Sequence, residues 1–325
     1  MALKKKSLGL PLLLIIFALF GLLAWAGGIF PQASQGQAPA SSLIAELPKA
    51  PLPLNVPYHF VAIGDWGAGT PFQKAVAEQM ALSYGKNPYD AVLMLGDNIY
   101  PIGDIKKHGQ AYFTDMYAPL LRHDVQFIVA LGNHDVIAGH GKAQVAFFNM
   151  PGTYYLVRKP HLDLFVIDSN RFANDNKQQQ WLRSSLANSH STWKIVMGHH
   201  PIYSSGEHGL NSGLKKTLEP ILVEGKADLY LAGHDHDYER FAPIQGVSYI
   251  VSGGGGAYLR NFAKILPDSQ VRIKKHHFLR WQLTTSTLDL TVIDSQGQVI
   301  DTAHWNNVAD LNRRTPNTSV VKPAA

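Results

Sequence analysis

The sequence predicts an α/β protein built from two mixed β-sheets with helices on their outer faces. Three observations predict it. Seven short apolar runs recur between residues 58 and 251, several β-branched and apolar throughout, as strands covered on both faces should be. Helical patterns separate some of these runs. Beyond them the chain turns β-rich, with two strand-like stretches at 278–285 and 288–301 that read as antiparallel hairpin strands.

Taken in order, the runs are YHFVAI (58–63), YDAVLML (89–95), VQFIVAL (125–131), LDLFVI (162–167), WKIVM (193–197), ADLYL (227–231) and VSYIV (247–251). Thr70-Pro71 supplies an N-cap and a first-turn proline for a helix running to about Tyr84. NKQQQWLRSSLAN (176–188) is a second helix. The chain is 325 residues long, 46% apolar and 16% charged, a globular composition. It has no cysteine, which excludes thiolate ligands, a cysteine nucleophile and sulfur redox chemistry. Three of the charges behind the net +5 are Lys4–Lys6, so the rest is close to neutral and shows no basic stripe for nucleic acid.

The organisation expected is fourfold. Residues 1–30 carry three lysines and then a long apolar run, the layout of a secretory signal with a small-x-small site at Ala24–Ala26. Leu8–Phe30 is equally long enough to act as an uncleaved membrane anchor. Either way the remainder is exported, periplasmic or extracellular, and touches a membrane only through this segment. Residues 31–57 form a Pro/Ala/Ser/Gln-rich linker, 58–305 the catalytic domain and 306–325 a C-terminal tail. Nothing in the sequence specifies an oligomeric state.

Five of the runs end in a glycine followed by residues that bind metals. FVAIGDWG gives Asp65, VLMLGDNIY gives Asp97 and Tyr100, IVALGNHD gives Asn133, His134 and Asp135, KIVMGHHP gives His199 and His200, and LYLAGHDH gives His234 and His236. Each motif alone reads as an ordinary turn, with the glycine letting the chain reverse. Together they place a ligand-type residue after five strands, and sites in α/β sheets lie beyond the carboxyl ends of strands. The expectation is five ends of one sheet converging on one crevice. Carboxylate, imidazole, amide oxygen and phenolate are ligands for hard or borderline metals. Seven candidates (Asp65, Asp97, Tyr100, Asn133, His199, His234 and His236) exceed the four of a single site and suit two ions sharing a carboxylate, with the phenolate favouring a ferric ion at one of them. SGGGGAYL (252–259) lacks the Lys-Ser/Thr of a phosphate loop and reads instead as a tight backbone passage near GHDH. Arg240 reads as structural.

The ordered set GDWG, GDNIY, GNHD, GHHP and GHDH resembles the calcineurin-like metallophosphoesterase superfamily. Tyr100 in GDNIY, with FVAIGDWG and GEHG (206–209), makes it similar to the purple acid phosphatases of the small, tartrate-resistant type. The resemblance implies a four-layer αββα sandwich and a dinuclear centre of Fe(III) plus a divalent ion (Fe, Zn or Mn). It implies that Asp65, Tyr100 and His236 hold the ferric ion, that Asn133, His199 and His234 hold the divalent ion, and that Asp97 bridges them. His134 and His208 would contact the phosphoryl group or protonate the leaving oxygen, with Asp135 available to orient an imidazole. The implied reaction is acid phosphatase hydrolysis of small phosphomonoesters or phosphoproteins by water activated at the metals. The alternative is a phosphodiesterase or nucleotide pyrophosphohydrolase on the same scaffold. His200 departs from the pattern, which usually carries an aromatic residue there.

Overall fold

The computed structural model describes residues 56–307 and the short strand Asn317–Thr318. The expected signal or anchor (1–30), nearly all of the linker and most of the C-terminal tail lie outside the described residues. Among the described residues, fourteen strands form two seven-stranded sheets.

The first sheet holds β1 (Tyr58–Ile63), β2 (Ala91–Met94) and β3 (Gln126–Val129), and then the C-terminal strands β11 (His277–Leu283), β12 (Thr287–Asp294), β13 (Val299–Asn306) and β14 (Asn317–Thr318). Its order is β14-β13-β12-β11-β1-β2-β3. The second holds β4 (Tyr155–Lys159), β5 (Leu162–Val166), β6 (Trp193–Met197), β7 (Leu229–Ala232), β8 (Tyr238–Phe241), β9 (Ser248–Ser252) and β10 (Ser269–Ile273), in the order β10-β8-β9-β7-β6-β5-β4. Within each sheet the strands that precede the motifs run parallel, while the hairpin strands pair antiparallel. The two sheets are therefore mixed, as the alternation predicts.

The main core fills the space between the sheets. Phe60, Ile63, Leu93 and Trp281 from one pack with Leu164, Met197, Leu231 and Ile250 from the other. A second core, with Phe165, Val196 and Tyr230, lies under α2 (Asn176–Ala187), α3 (Ser212–Thr217) and α4 (Glu219–Glu224). Helix α1 (Pro71–Lys86) starts as expected: Thr70 Oγ1 accepts from Gln73 N–H at 3.1 Å and Pro71 occupies the first turn. The same Thr70 hydroxyl donates to Gly256 O at 2.6 Å, tying the helix to the glycine run after β9.

The single 288–301 stretch resolves into two strands, β12 and β13, with a turn between them. Strands β4, β8 and β10 lack a clear apolar signal. β8 carries Glu239 and Arg240 fully buried, because each has polar partners: Ser205 N–H donates to Glu239, and Arg240 grips Asp301.

The five motifs come from two sheets, not one. β1, β2 and β3 deliver Asp65, Asp97, Tyr100 and Asn133, while β6 and β7 deliver His199, His234 and His236. The sheets draw together at this end. A Cβ on Gly64 would lie 2.5 Å from Ser252 O and 3.2 Å from Gly233 Cα, so only glycine permits the approach.

Candidate metal centre

Three of the candidate ligands sit in left-handed backbone that non-glycine residues avoid: Asp65 (φ 57°), Asp97 (φ 52°) and His234 (φ 74°). The sequence reading gave that turn to the preceding glycine. In the structure only Gly96 of the five motif glycines takes a positive φ (93°), and at three places, Asp97 after it included, the ligand itself takes the strained turn. Such conformations cost about 1–3 kcal/mol each and cluster where a side chain must be aimed.

The seven side chains meet in two adjoining groups. In the first, Tyr100 OH donates to Asp65 Oδ1 at 3.0 Å and lies 3.2 Å from His236 Nε2, which is 3.3 Å from Asp65 Oδ1. In the second, His199 Nε2 lies 3.0 Å from Asn133 Oδ1, 3.2 Å from His234 Nδ1 and 3.4 Å from Asp97 Oδ1. Ligand atoms about 2.1 Å from one cation stand about 3.0 Å apart at right angles and about 3.4 Å apart in a tetrahedron. All six of these distances fall in that interval. Asp65, Asp97 and His199 also place one ligand atom each within 4.8 Å of one another, across the two groups.

The imidazoles are oriented by carbonyls. His199 Nδ1 donates to Leu95 O at 3.0 Å and His236 Nδ1 to Tyr258 O at 2.7 Å. A carbonyl only accepts, so these contacts fix the proton on Nδ1 and turn each Nε2 lone pair into the site. The local field favours positive charge. Burial pushes His199 down, but the carboxylates of Asp97 and Asp65 outweigh it and carry the imidazole up to about 9. Burial alone would raise Asp97, yet His199 and His134 beside it hold its carboxyl well below the usual range. Burial, and then Asp65 and Asp97, push the Tyr100 phenol far up, so only a cation at this point makes a phenolate favourable. The donor set and its field thus fit two cations.

His134 donates its backbone N–H to Asp97 Oδ1 at 3.0 Å and its Nδ1–H to Pro101 O at 2.5 Å, leaving Nε2 3.9 Å from Asp97 Oδ2. His208, exposed in its loop, leans over His234 with centroids 3.9 Å apart and ring planes tilted by 33°. Both therefore border the two groups.

Asp135 does not orient an imidazole. Its fully buried carboxylate accepts from Gly132 N–H, Asn98 N–H, Ile99 N–H, Asn98 Nδ2 and Gln144 Nε2, binding the loop that carries Asn133 to the loop that carries Tyr100. His200 occupies the wall of the second group. Ser169 Oγ accepts from the backbone N–H of His199 and of His200 and donates to His200 Nδ1 at 2.9 Å. A His200 ring nitrogen lies within 4.8 Å of those of His199 and His234, and burial, then His199, push it down to about 3. Sequence reasoning missed Ser169, Asp235 and Arg260. Asp235 alone had a visible signal, its place between His234 and His236.

The sequence pattern of the calcineurin-like phosphoesterase family matches residues 58–238. The chain belongs to this family. Among curated members it is 31% identical over 296 residues to tartrate-resistant acid phosphatase type 5 of Sus scrofa, covering 77% of this chain and 86% of that one. It is 34% identical over 284 residues to purple acid phosphatase 3 of Arabidopsis thaliana, covering 76% of each. The fold is shared with a purple acid phosphatase from yellow lupin seeds at a TM-score of 0.69 and 21% identity, over 77% of this chain and 54% of that one. It is shared equally with the anchor in the inner membrane complex of Plasmodium, at a TM-score of 0.68 and 22% identity, over 76% of this chain and 87% of that one. One calcineurin-like scaffold thus underlies a phosphatase and an anchor, and the site residues must carry the functional argument.

Proposed function

We propose that the chain is an exported acid phosphatase that hydrolyses phosphate monoesters at a dinuclear metal centre. The observation that carries this reading is the position of Asp97, 3.4 Å from His199 Nε2 in one donor group and with a carboxylate oxygen within 4.8 Å of one of Asp65 in the other. A carboxylate there can serve two ions at once. Asp65, Tyr100 and His236 form the set suited to Fe(III), and Asn133, His199 and His234 the set suited to a divalent Fe, Zn or Mn. Bound there, two such ions would supply positive charge to phosphoryl oxygens and a more acidic water.

The protein does the rest. Leu95 O and Tyr258 O hold two imidazoles by Nδ1–H with Nε2 turned into the site, and Asp135 holds two ligand loops in register. His134, anchored through Nδ1–H on Pro101 O, as imidazolium donates Nε2–H to a phosphoryl oxygen or gives that proton to the leaving alkoxide. His208 offers a second such group beside His234. Export is supported by the lysine-then-apolar layout of residues 4–30.

The test is turnover of p-nitrophenyl phosphate against its bis-ester by the metal-loaded protein. Monoester turnover is expected to dominate. Dominant diester turnover would move the chain to the phosphodiesterases, and no turnover would align it with a binding role. The same preparation is expected to be violet or pink from tyrosinate-to-iron charge transfer, and Tyr100→Phe is expected to bleach it. A colourless, iron-free, fully active protein would remove the tyrosinate–iron assignment and leave the two-metal one.

A further inference from the structure

Asp235 lies between the two histidines of GHDH, fully buried, yet its carboxylate turns away from both metal groups. Oδ2 accepts from Ser204 Oγ at 2.5 Å. Oδ1 accepts from the backbone N–H of His208 at 3.1 Å and from its Nδ1 at 2.8 Å. The loop is shaped around this contact. A Cβ on Gly206 would fall 2.5 Å from Asp235 Cγ, and one on Gly253 would fall 2.1 Å from Asp235 O. Arg260 Nη1 also meets the His208 ring, 2.9 Å from Nε2 and 3.1 Å from Nδ1. The Arg260 backbone N–H is itself held on His236 O at 3.1 Å.

We propose that Asp235 is the positioning residue for His208. A carboxylate accepts and cannot donate, so the contact commits a proton to His208 Nδ1 and leaves Nε2 as the ring nitrogen that can carry the proton offered to substrate. An exposed loop histidine would otherwise sample several rotamers and both tautomers. Here its ring and backbone are pinned by one buried group, on the same turn that supplies His234 and His236. The metal-binding turn therefore sets the position of the substrate-facing histidine. The catalytic consequence rests on the phosphatase reading, while the orientation of the ring does not.

A double-variant cycle tests it. Asp235→Ala is expected to lower kcat/KM for p-nitrophenyl phosphate by about 10- to 100-fold, the usual effect of removing an orienting partner. In a His208→Ala background the same change is expected to add less than about twofold, with metal content per chain unchanged. Losses that multiply in the two backgrounds, or that follow metal loss, overturn the proposal. If Asp235→Ala does not fold, Ser204→Ala, which frees one carboxylate oxygen, should give a smaller loss that also vanishes without His208. A loss that persists there overturns the proposal too. Independently of turnover, nitrogen-15 spectra of the zinc-loaded protein should show His208 protonated at Nδ1, as the Nδ1–H tautomer or the imidazolium, assigned by its disappearance in His208→Ala. An Nε2–H tautomer overturns the proposal. A wild-type protein without phosphatase turnover sinks the phosphatase reading and leaves the tautomer to decide on Asp235.

Discussion

At the residue scale, the site is made of side chains whose second atoms are spoken for. The rings of His199, His236 and His134 each spend Nδ1 on a backbone carbonyl, so their remaining nitrogen has a defined role. Asp135 shows how far that support extends. It touches none of the seven candidate ligand side chains, yet two of the loops that carry them hang on it. Asp135→Ala is expected to weaken metal affinity by about 10- to 100-fold, measured by competition with a chelator, while His134 and His208 stay in place. Unchanged affinity would mean that the loops hold themselves. The identities of the ligands were legible because each follows an apolar run and a glycine. Their left-handed backbone at Asp65, Asp97 and His234 was not, because the sequence reading assigned that geometry to glycine.

At the scale of elements, packing distance decides which glycines matter. Gly64 joins β1 to Asp65 and faces the backbone of the opposite sheet at Ser252 and Gly233. Gly64→Ala is expected to cost about 1–3 kcal/mol, since backbone rather than a flexible side chain must move. Gly85, within α1, is the control: a Cβ there meets nothing within 4 Å. Gly85→Ala is expected to stabilise by up to about 1 kcal/mol through helix propensity alone. Urea midpoints of the two variants should move in opposite directions, and a shared direction would refute the distinction. Strands with continuous apolar runs were legible. β4 and β10 were not, because as edge strands they carry Arg158, Lys159 and Arg272 toward solvent, and β8 was not, because its charges are buried in pairs.

For the whole molecule, polar ties hold one sheet to the other. Arg240 on β8 meets Asp301 on β13 through Nε at 2.8 Å and Nη2 at 3.2 Å, and Tyr238 OH donates to the same carboxylate at 2.7 Å. Asp301→Ala strands a buried guanidinium and is expected to cost about 3–5 kcal/mol in denaturant unfolding, while replacing both partners with apolar residues should cost far less. His277 at the start of β11 sets an acid limit. It is fully buried, Nδ1–H donates to Lys275 O at 2.9 Å, and Ser252 Oγ donates to Nε2 at 2.9 Å. Burial pushes its imidazole down to about 4 from the ordinary 6.5. The unfolded chain therefore takes up the proton first. The stability is complete above the unfolded value and is lost as pH falls through this window, by about 1.4 kcal/mol one unit below it and about 3 kcal/mol near pH 4. His277→Gln should flatten that fall in urea titrations between pH 7 and pH 4.5, and an equally steep fall would place the acid sensitivity elsewhere. The sequence by itself determined the strand runs, the five motifs and the chemical types of the seven ligand candidates, because apolar periodicity and short-range turn chemistry are local. Only the tertiary structure decided that the ligands arrive from two sheets, that Asp97 stands within reach of both donor groups and that Asp235 holds His208. Those facts depend on contacts between segments far apart in the chain, whose register is set by packing across the core.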